Sequence, residues 1–151
     1  AGGARYNTRY IQGVGIGTVT DMMSAIKYNV YDKKKFTMEE LKKAMEDNFQ
    51  GHEDIFSRVH DKTPKYGNDD DYADDIMQTI FKLYRDTITG RPTVCGGKYR
   101  VDMLPTTCHV YFGDVLLATP NGRLAPVPVS EGISPEKSAD VNGPTAVIKS
   151  C

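Results

Sequence analysis

Phe36-Thr37-Met38-Glu39-Glu40-Leu41 carries the clearest local signal in the chain. The Thr37 hydroxyl can accept from the Glu40 amide while the Glu40 carboxylate reaches back to the Thr37 amide, which is a capping box. Phe36 and Leu41 stand at the spacing of a hydrophobic staple across the same helix start. Leu41, Ala44, Met45 and Phe49 then recur at the helical period as a buried stripe, with Gly51 as the expected stop.

Reading outward, the helical pattern extends on both sides. Towards the N-terminus, Met22, Ala25, Ile26 and Val30 follow the 3.6-residue period, with Thr20 or Asp21 as the cap and an end near Tyr31. Gly13-Val14-Gly15-Ile16-Gly17 before it lacks the full G-x-G-x-x-G because position 18 is Thr. No strand of convincing length precedes it, so a tight turn into a helix is the expectation rather than a phosphate loop. Towards the C-terminus, Ile55, Phe56 and Val59 give a short third helix, closed by Pro64 and the turn at Tyr66-Gly67-Asn68.

Asp69-Asp70-Asp71 opens a fourth helix, with Asn68 or Asp69 as its cap and Ile76, Ile80, Leu83 and Tyr84 on its apolar face. The acidic run lies at the positive end of that helix and Lys82 and Arg85 near the negative end, so the charges complement the dipole. The EF-hand pattern of glycine and distal glutamate is missing, and the expectation is a helix start with no metal.

After Gly90 the pattern changes. Tyr99-Arg100-Val101-Asp102-Met103-Leu104 alternates at period two, Cys108-His109-Val110-Tyr111-Phe112 is rich in β-formers, and Val115-Leu116-Leu117-Ala118 reads as extended. Thr119-Pro120-Asn121-Gly122-Arg123 is a turn, and the proline-spaced Ala125–Val129 and Gly132–Pro135 stretches are extended loop. Ala146-Val147-Ile148-Lys149 reads as a strand in mid-course, so both chain ends are expected to be cuts. The fold class is therefore α/β, with helices mainly in 18–86 and strands and loops mainly in 93–151.

Composition narrows the function. A length of 151 residues fits one domain, and 39% hydrophobic with 26% charged residues is too apolar for a disordered chain and too polar for a membrane protein. Nineteen basic against twenty acidic residues leave a net charge of -1, which disfavours nucleic acid and anionic lipid as partners. With no long apolar run and no leader pattern, a cytoplasmic location is expected. Cys95, Cys108 and Cys151 are too few and too widely spaced for a disulfide framework or a zinc site. No catalytic constellation is complete. Cys108 and His109 would point to opposite faces of a strand, and Thr106-Thr107 after Pro105 reads either as a Ser/Thr turn or as hydroxyls offered to a polar ligand.

Several blocks, in order, carry a resemblance. Ala1-Gly2-Gly3-Ala4-Arg5-Tyr6-Asn7, Gln12-Gly13-Val14-Gly15-Ile16, Pro64-Lys65-Tyr66-Gly67-Asn68-Asp69, Leu104-Pro105-Thr106-Thr107-Cys108-His109-Val110-Tyr111-Phe112-Gly113, Ala118–Arg123, Ser130–Pro135 and Asn142–Ala146 are similar to blocks of the glycyl radical enzymes of the pyruvate formate-lyase superfamily. Thr8-Arg9-Tyr10-Ile11-Gln12 and Thr106-Thr107-Cys108-His109 most resemble the branch that dehydrates trans-4-hydroxy-L-proline.

The resemblance implies a partial ten-stranded barrel and a parent that removes water from hydroxyproline to leave a pyrroline carboxylate. A glycyl radical would be the cofactor, installed by a partner activating enzyme that uses S-adenosylmethionine and an iron–sulfur cluster. It implies that Thr106 and Thr107 lie at the end of a late barrel strand facing the active site and bind the substrate carboxylate. Neither the Gly-Cys-Val-Glu-like block of the cysteine loop nor the Arg-Val-Ser-Gly-Tyr-like block of the radical loop occurs in the sequence. Residues 1–151 are therefore expected to be a single internal slice between those loops, with no catalytic residue of its own and no metal. Choline trimethylamine-lyase, a diol dehydratase and a stand-alone binding or structural protein remain as alternatives, and homo-oligomerisation stays open.

Overall fold

The computed structural model describes residues 8–94 and 96–151; the Ala1–Asn7 block and Cys95 lie outside the described residues. Among the described residues there are six α-helices and one two-stranded parallel sheet. The strands are β1 (Thr8–Gln12) and β2 (Lys98–Asp102), paired in register from Thr8 opposite Lys98 to Gln12 opposite Asp102. A parallel pair needs a crossover, and α1 (Ile16–Ile26), α2 (Met38–Glu46), α3 (Glu53–Asp61) and α4 (Asp71–Ile88) provide it. Beyond β2 come α5 (Cys108–Val115) and α6 (Pro144–Ser150).

The capping box forms as the sequence dictates. The Thr37 amide donates to Glu40 at 2.7 Å and the Glu40 amide donates to the Thr37 hydroxyl at 3.2 Å. Leu41, Ala44 and Phe49 are buried with Ala25, Phe36, Val59 and Ala118 in one apolar cluster, against which Met45, Ile55 and Phe56 pack. The helix itself stops at Glu46, before Gly51, because Asn48 and Phe49 take left-handed backbone and Phe49 turns back into the core.

The first helix begins earlier than its polar cap candidates suggest. Gly15, at φ 85°, starts α1, while Thr20 and Asp21 lie buried inside it. A left-handed start suits glycine, and it frees the polar side chains of the first turns for tertiary contacts. Past Ile26 the helix widens into a π-helical stretch, Lys27–Asp32. There Asn29 donates to the Ala25 carbonyl at 3.1 Å and to Thr63 at 2.8 Å. β1 corrects a further expectation, since a strand does precede the Gly13–Gly17 turn. Its five residues are all exposed, which leaves no burial pattern to read.

On α4 the cap is Asp70, whose carboxylate accepts the Tyr72 amide at 3.0 Å. Asp69 instead takes left-handed backbone and pairs with Lys149 at 2.6 Å, which docks α6 beside the start of α4. The buried face is Ala73 and Met77, with Tyr66, Phe81 and Ile133 against them, whereas Leu83 is exposed. Tyr84 donates to the Ile11 carbonyl at 2.7 Å and so seats α4 on the sheet.

Two expected strands are helices. Cys108–Phe112 lies in α5, and Ala146–Lys149 lies in α6, which opens with Pro144 in its first turn. Proline there has no amide to leave unsatisfied and a φ already suited to a helix. The Thr119–Gly122 turn forms as read, with the Gly122 amide on the Thr119 carbonyl at 3.0 Å. No helix among the described residues is long and apolar enough to cross a membrane.

Candidate functional site

The Thr106-Thr107 block lies in the link between β2 and α5. The sequence reading set it at a strand end, but the strand stops at Asp102 and the block is the entry to a helix. Thr106 is half-buried and Thr107 exposed. The Thr106 hydroxyl accepts the Cys108 amide at the long distance of 3.5 Å, and Thr107, the residue before α5, makes no side-chain cap. Both hydroxyls therefore stand near the positive end of a short helix without being consumed by it. Hydroxyl donors with a helix N-terminus form a surface suited to a carboxylate.

The link is gripped at its carbonyls. Gln12 donates its side-chain amide to the Leu104 carbonyl at 2.5 Å, and the His109 ring nitrogen Nδ1 lies 2.5 Å from the Thr106 carbonyl. Cys108 and His109, expected to diverge across a strand, are instead successive residues of one helix turn. Cys108 is a free, exposed thiol.

A second polar assembly, drawn from segments distant in sequence, is buried behind α1. Thr18 donates its hydroxyl to Glu136, and Thr18 and Ser130 bond each other's amides. Asp21 accepts the Tyr66 amide at 2.8 Å, and Lys65 donates to the Asn121 carbonyl at 2.9 Å. The Arg123 guanidinium donates to the carbonyls of Leu117 and Val127, both at 2.5 Å.

Burial pushes the Asp21 carboxyl up to about 7, against the opposing pull of the Lys65 charge. It raises Glu136 and lowers Lys65 and Arg123 as well, each through loss of water around the charged form. The cluster thus fixes α1 against the 117–136 segment through groups whose charged forms burial disfavours. These partners lie as much as 118 residues apart in the chain, beyond any local pattern.

A cleft of about 510 Å³ opens beside that cluster, with Lys65, Arg123 and Glu136 in its walls. Thr106 and Thr107 are not part of it. Among the described residues no group of three or more His, Cys, Asp or Glu is placed to hold a metal ion.

The family model described as "Pyruvate formate lyase-like" matches residues 1–113. The chain belongs to the pyruvate formate lyase-like family. Over 150 residues it is 73% identical to trans-4-hydroxy-L-proline dehydratase of Clostridioides difficile, covering 99% of this chain and 19% of that protein. Isethionate sulfite-lyase of Bilophila wadsworthia is 42% identical over 144 residues, covering 95% of this chain and 17% of the relative. The chain thus spans about a fifth of the length of these curated relatives.

The crystal structure of the Clostridioides difficile hydroxyproline dehydratase with trans-4-hydroxy-L-proline bound superposes with a TM-score of 0.96 at 73% identity, covering 99% of this chain and 19% of that one. The glycerol-bound B12-independent glycerol dehydratase of Clostridium butyricum gives 0.91 at 36% identity over the same shares. The mixed α/β arrangement of this chain is therefore that of the corresponding part of solved members of the pyruvate formate lyase-like family.

Proposed function

We propose that this chain is part of a glycyl radical dehydratase that converts trans-4-hydroxy-L-proline into a pyrroline carboxylate and water. The observation that carries the reading is the 73% identity to a hydroxyproline dehydratase across nearly the whole chain, against 42% to an isethionate lyase. In the whole protein, β1 and β2 would be two strands of a ten-stranded barrel, and residues 1–151 a slice between the cysteine and glycine loops. A radical S-adenosylmethionine activating enzyme would be the partner, and the cytoplasm the location.

The glycine that would hold the radical and the cysteine that would relay it have no matching block in these 151 residues. The chain's own share of the chemistry is therefore binding and shape. Thr106 and Thr107 hold the substrate carboxylate. A carboxylate taken out of water needs donors, and two hydroxyls at a helix entry supply them without adding a countercharge. A quaternary ammonium such as choline has no acceptor for those donors and is better held by aromatic faces and carboxylates.

The test is kcat/KM for hydroxyproline in the activated full-length protein carrying Thr106→Val or Thr107→Val. Losing one charge-assisted hydrogen bond costs about 1.5–3 kcal/mol, or roughly ten- to a hundredfold. Unchanged values in both variants remove the threonines from the site, and a parent that prefers choline overturns the substrate.

A further inference from the structure

We propose that His109 is a positioning residue for the substrate carboxylate, acting through the peptide between Thr106 and Thr107; this rests on the reading that those threonines meet that carboxylate. The Nδ1 atom of His109 lies 2.5 Å from the Thr106 carbonyl oxygen. A carbonyl oxygen only accepts, so Nδ1 carries the hydrogen and donates. In a trans peptide the carbonyl and the following amide point in opposite directions. Fixing the Thr106 carbonyl against the imidazole therefore aims the Thr107 amide away from the ring.

The ring is itself held. His109 is half-buried, and its own carbonyl accepts the Val129 amide at 3.3 Å, tying the first turn of α5 to the neighbouring segment. Four residues on, α5 meets that segment so closely that a Cβ on Gly113 would lie 2.5 Å from the Pro128 Cα. The imidazole thus projects from a helix that cannot easily shift.

The same link is restrained further upstream. Gln12, at the end of β1, donates to the Leu104 carbonyl at 2.5 Å. Gly132 approaches so closely that a Cβ there would lie 2.3 Å from the Met103 carbonyl oxygen. Carbonyls 104 and 106 are thereby held by side chains from two different parts of the chain, and His109 holds the one whose peptide supplies the Thr107 amide. Such preorganisation lets a loop present donors with less ordering on binding.

The experiment uses the activated full-length protein with His109→Ala, His109→Asn and His109→Gln. KM for trans-4-hydroxy-L-proline is measured together with inhibition by two probes, L-proline, which keeps the carboxylate, and 3-hydroxypyrrolidine, which lacks it. His109→Ala is expected to raise KM and the L-proline inhibition constant by about tenfold, with kcat and the 3-hydroxypyrrolidine constant changed less than about twofold. Asn, whose side-chain amide can replace Nδ1–H, restores most of the loss, and Gln does not. Equal weakening of both probes assigns His109 to general folding and overturns the proposal, as does an unchanged KM in the Ala variant.

Amide hydrogen exchange over 104–110 in the substrate-free protein keeps the two readings apart. A wild type that does not turn over hydroxyproline ends the functional reading and the carboxylate role with it. Faster exchange in Ala but not in Asn still places His109 as the group that orders the link, and unaltered exchange overturns that too.

Discussion

Thr18 and Ser130 exchange a reciprocal pair of hydrogen bonds: the Thr18 amide donates to the Ser130 hydroxyl at 2.9 Å, and the Ser130 amide donates to the Thr18 hydroxyl at 2.7 Å. Both residues are buried, and 112 residues of chain separate them. The pair does for the Ser130–Pro135 block what a β-ladder does for a strand, satisfying two backbone amides far from water. The Thr18 hydroxyl is used twice, since it also donates to Glu136.

Thr18→Val keeps the shape and removes both roles. The Ser130 amide is left buried without an acceptor, and Glu136 loses one of its donors. Such orphaning costs about 1–3 kcal/mol for a neutral group, and a carboxyl beside it adds to the loss. The expected result is a drop of several degrees in the thermal midpoint and faster exchange at the Ser130 amide. Thr18→Ser, which keeps the hydroxyl, should recover most of it.

How far this was legible depends on distance along the chain. The Thr37–Glu40 box, the Leu41–Ala44–Phe49 stripe and the Asp-rich start of α4 were written in adjacent residues, and each formed. α5 departs from its local signal because Cys-His-Val-Tyr-Phe favours a strand, yet β preference is weak and yields to packing; here Gly113 packs directly against Pro128. α6 had a local sign, Gly143-Pro144, that outweighs its β-branched residues. The Asp21, Lys65, Glu136 and Arg123 cluster had none, since no segment holds more than one of its charges at a meaningful spacing. Thr106 and Thr107 stood out through block similarity rather than periodicity.

Asp21 gives a pH dependence. Its carboxyl is raised by burial from 3.8 to about 7, so the folded state binds a proton that the unfolded chain has released. The contribution is complete below about pH 4, falls as pH rises to about 7, and is constant above. Glu136, also raised, acts in the same direction, whereas the lowered Lys65 acts oppositely and towards alkaline pH. Protection of the Tyr66 amide, which Asp21 accepts, should weaken across pH 4–7 after correction for intrinsic exchange. Asp21→Asn should flatten that slope in part, leaving the share due to Glu136, and an unaltered slope would count against Asp21.

Gly113 and Gly51 make a contrasting pair. A Cβ on Gly113 would meet the Val127 carbonyl and the Pro128 Cα at 2.5 Å, both backbone, whereas Gly51 has nothing within 4 Å but a φ of +77°. Gly113→Ala must push α5 off the 127–128 segment, an overpacking cost of about 1–3 kcal/mol. Because α5 carries His109, KM in the full-length protein should rise with it. Gly51→Ala should cost about 1 kcal/mol from left-handed strain and leave KM unchanged. Equal kinetic effects would show that the α5 contact has no bearing on binding.

The 151-residue chain on its own should neither turn over hydroxyproline nor behave as a well-packed monomer. On the proposed function, turnover would draw on a thiol and a glycyl radical in loops whose sequence blocks do not occur in these residues, and hydroxyproline consumption by the purified chain after exposure to an activating enzyme would refute this. The association follows from surface chemistry. Among the described residues the parallel sheet has only two strands, with Gly90 and Arg91 bonded to Tyr99 of β2, while parallel sheets in stable proteins are covered and extended. Tyr111 is 65% exposed, Val115 62% and Leu117 75%, all on or just after α5, with Ile148 at 76% on α6. Neighbouring apolar side chains left in water make a patch that seeks a cover. Light scattering after size exclusion should therefore show mass rising with concentration, and a hydrophobic dye should bind. Replacing Tyr111 and Leu117 by Glu together should suppress both signals, because neither residue is in the buried core and the added charges repel copies of the chain. A dye-silent monomer with a sharp, cooperative unfolding transition would mean that these faces are satisfied within the chain.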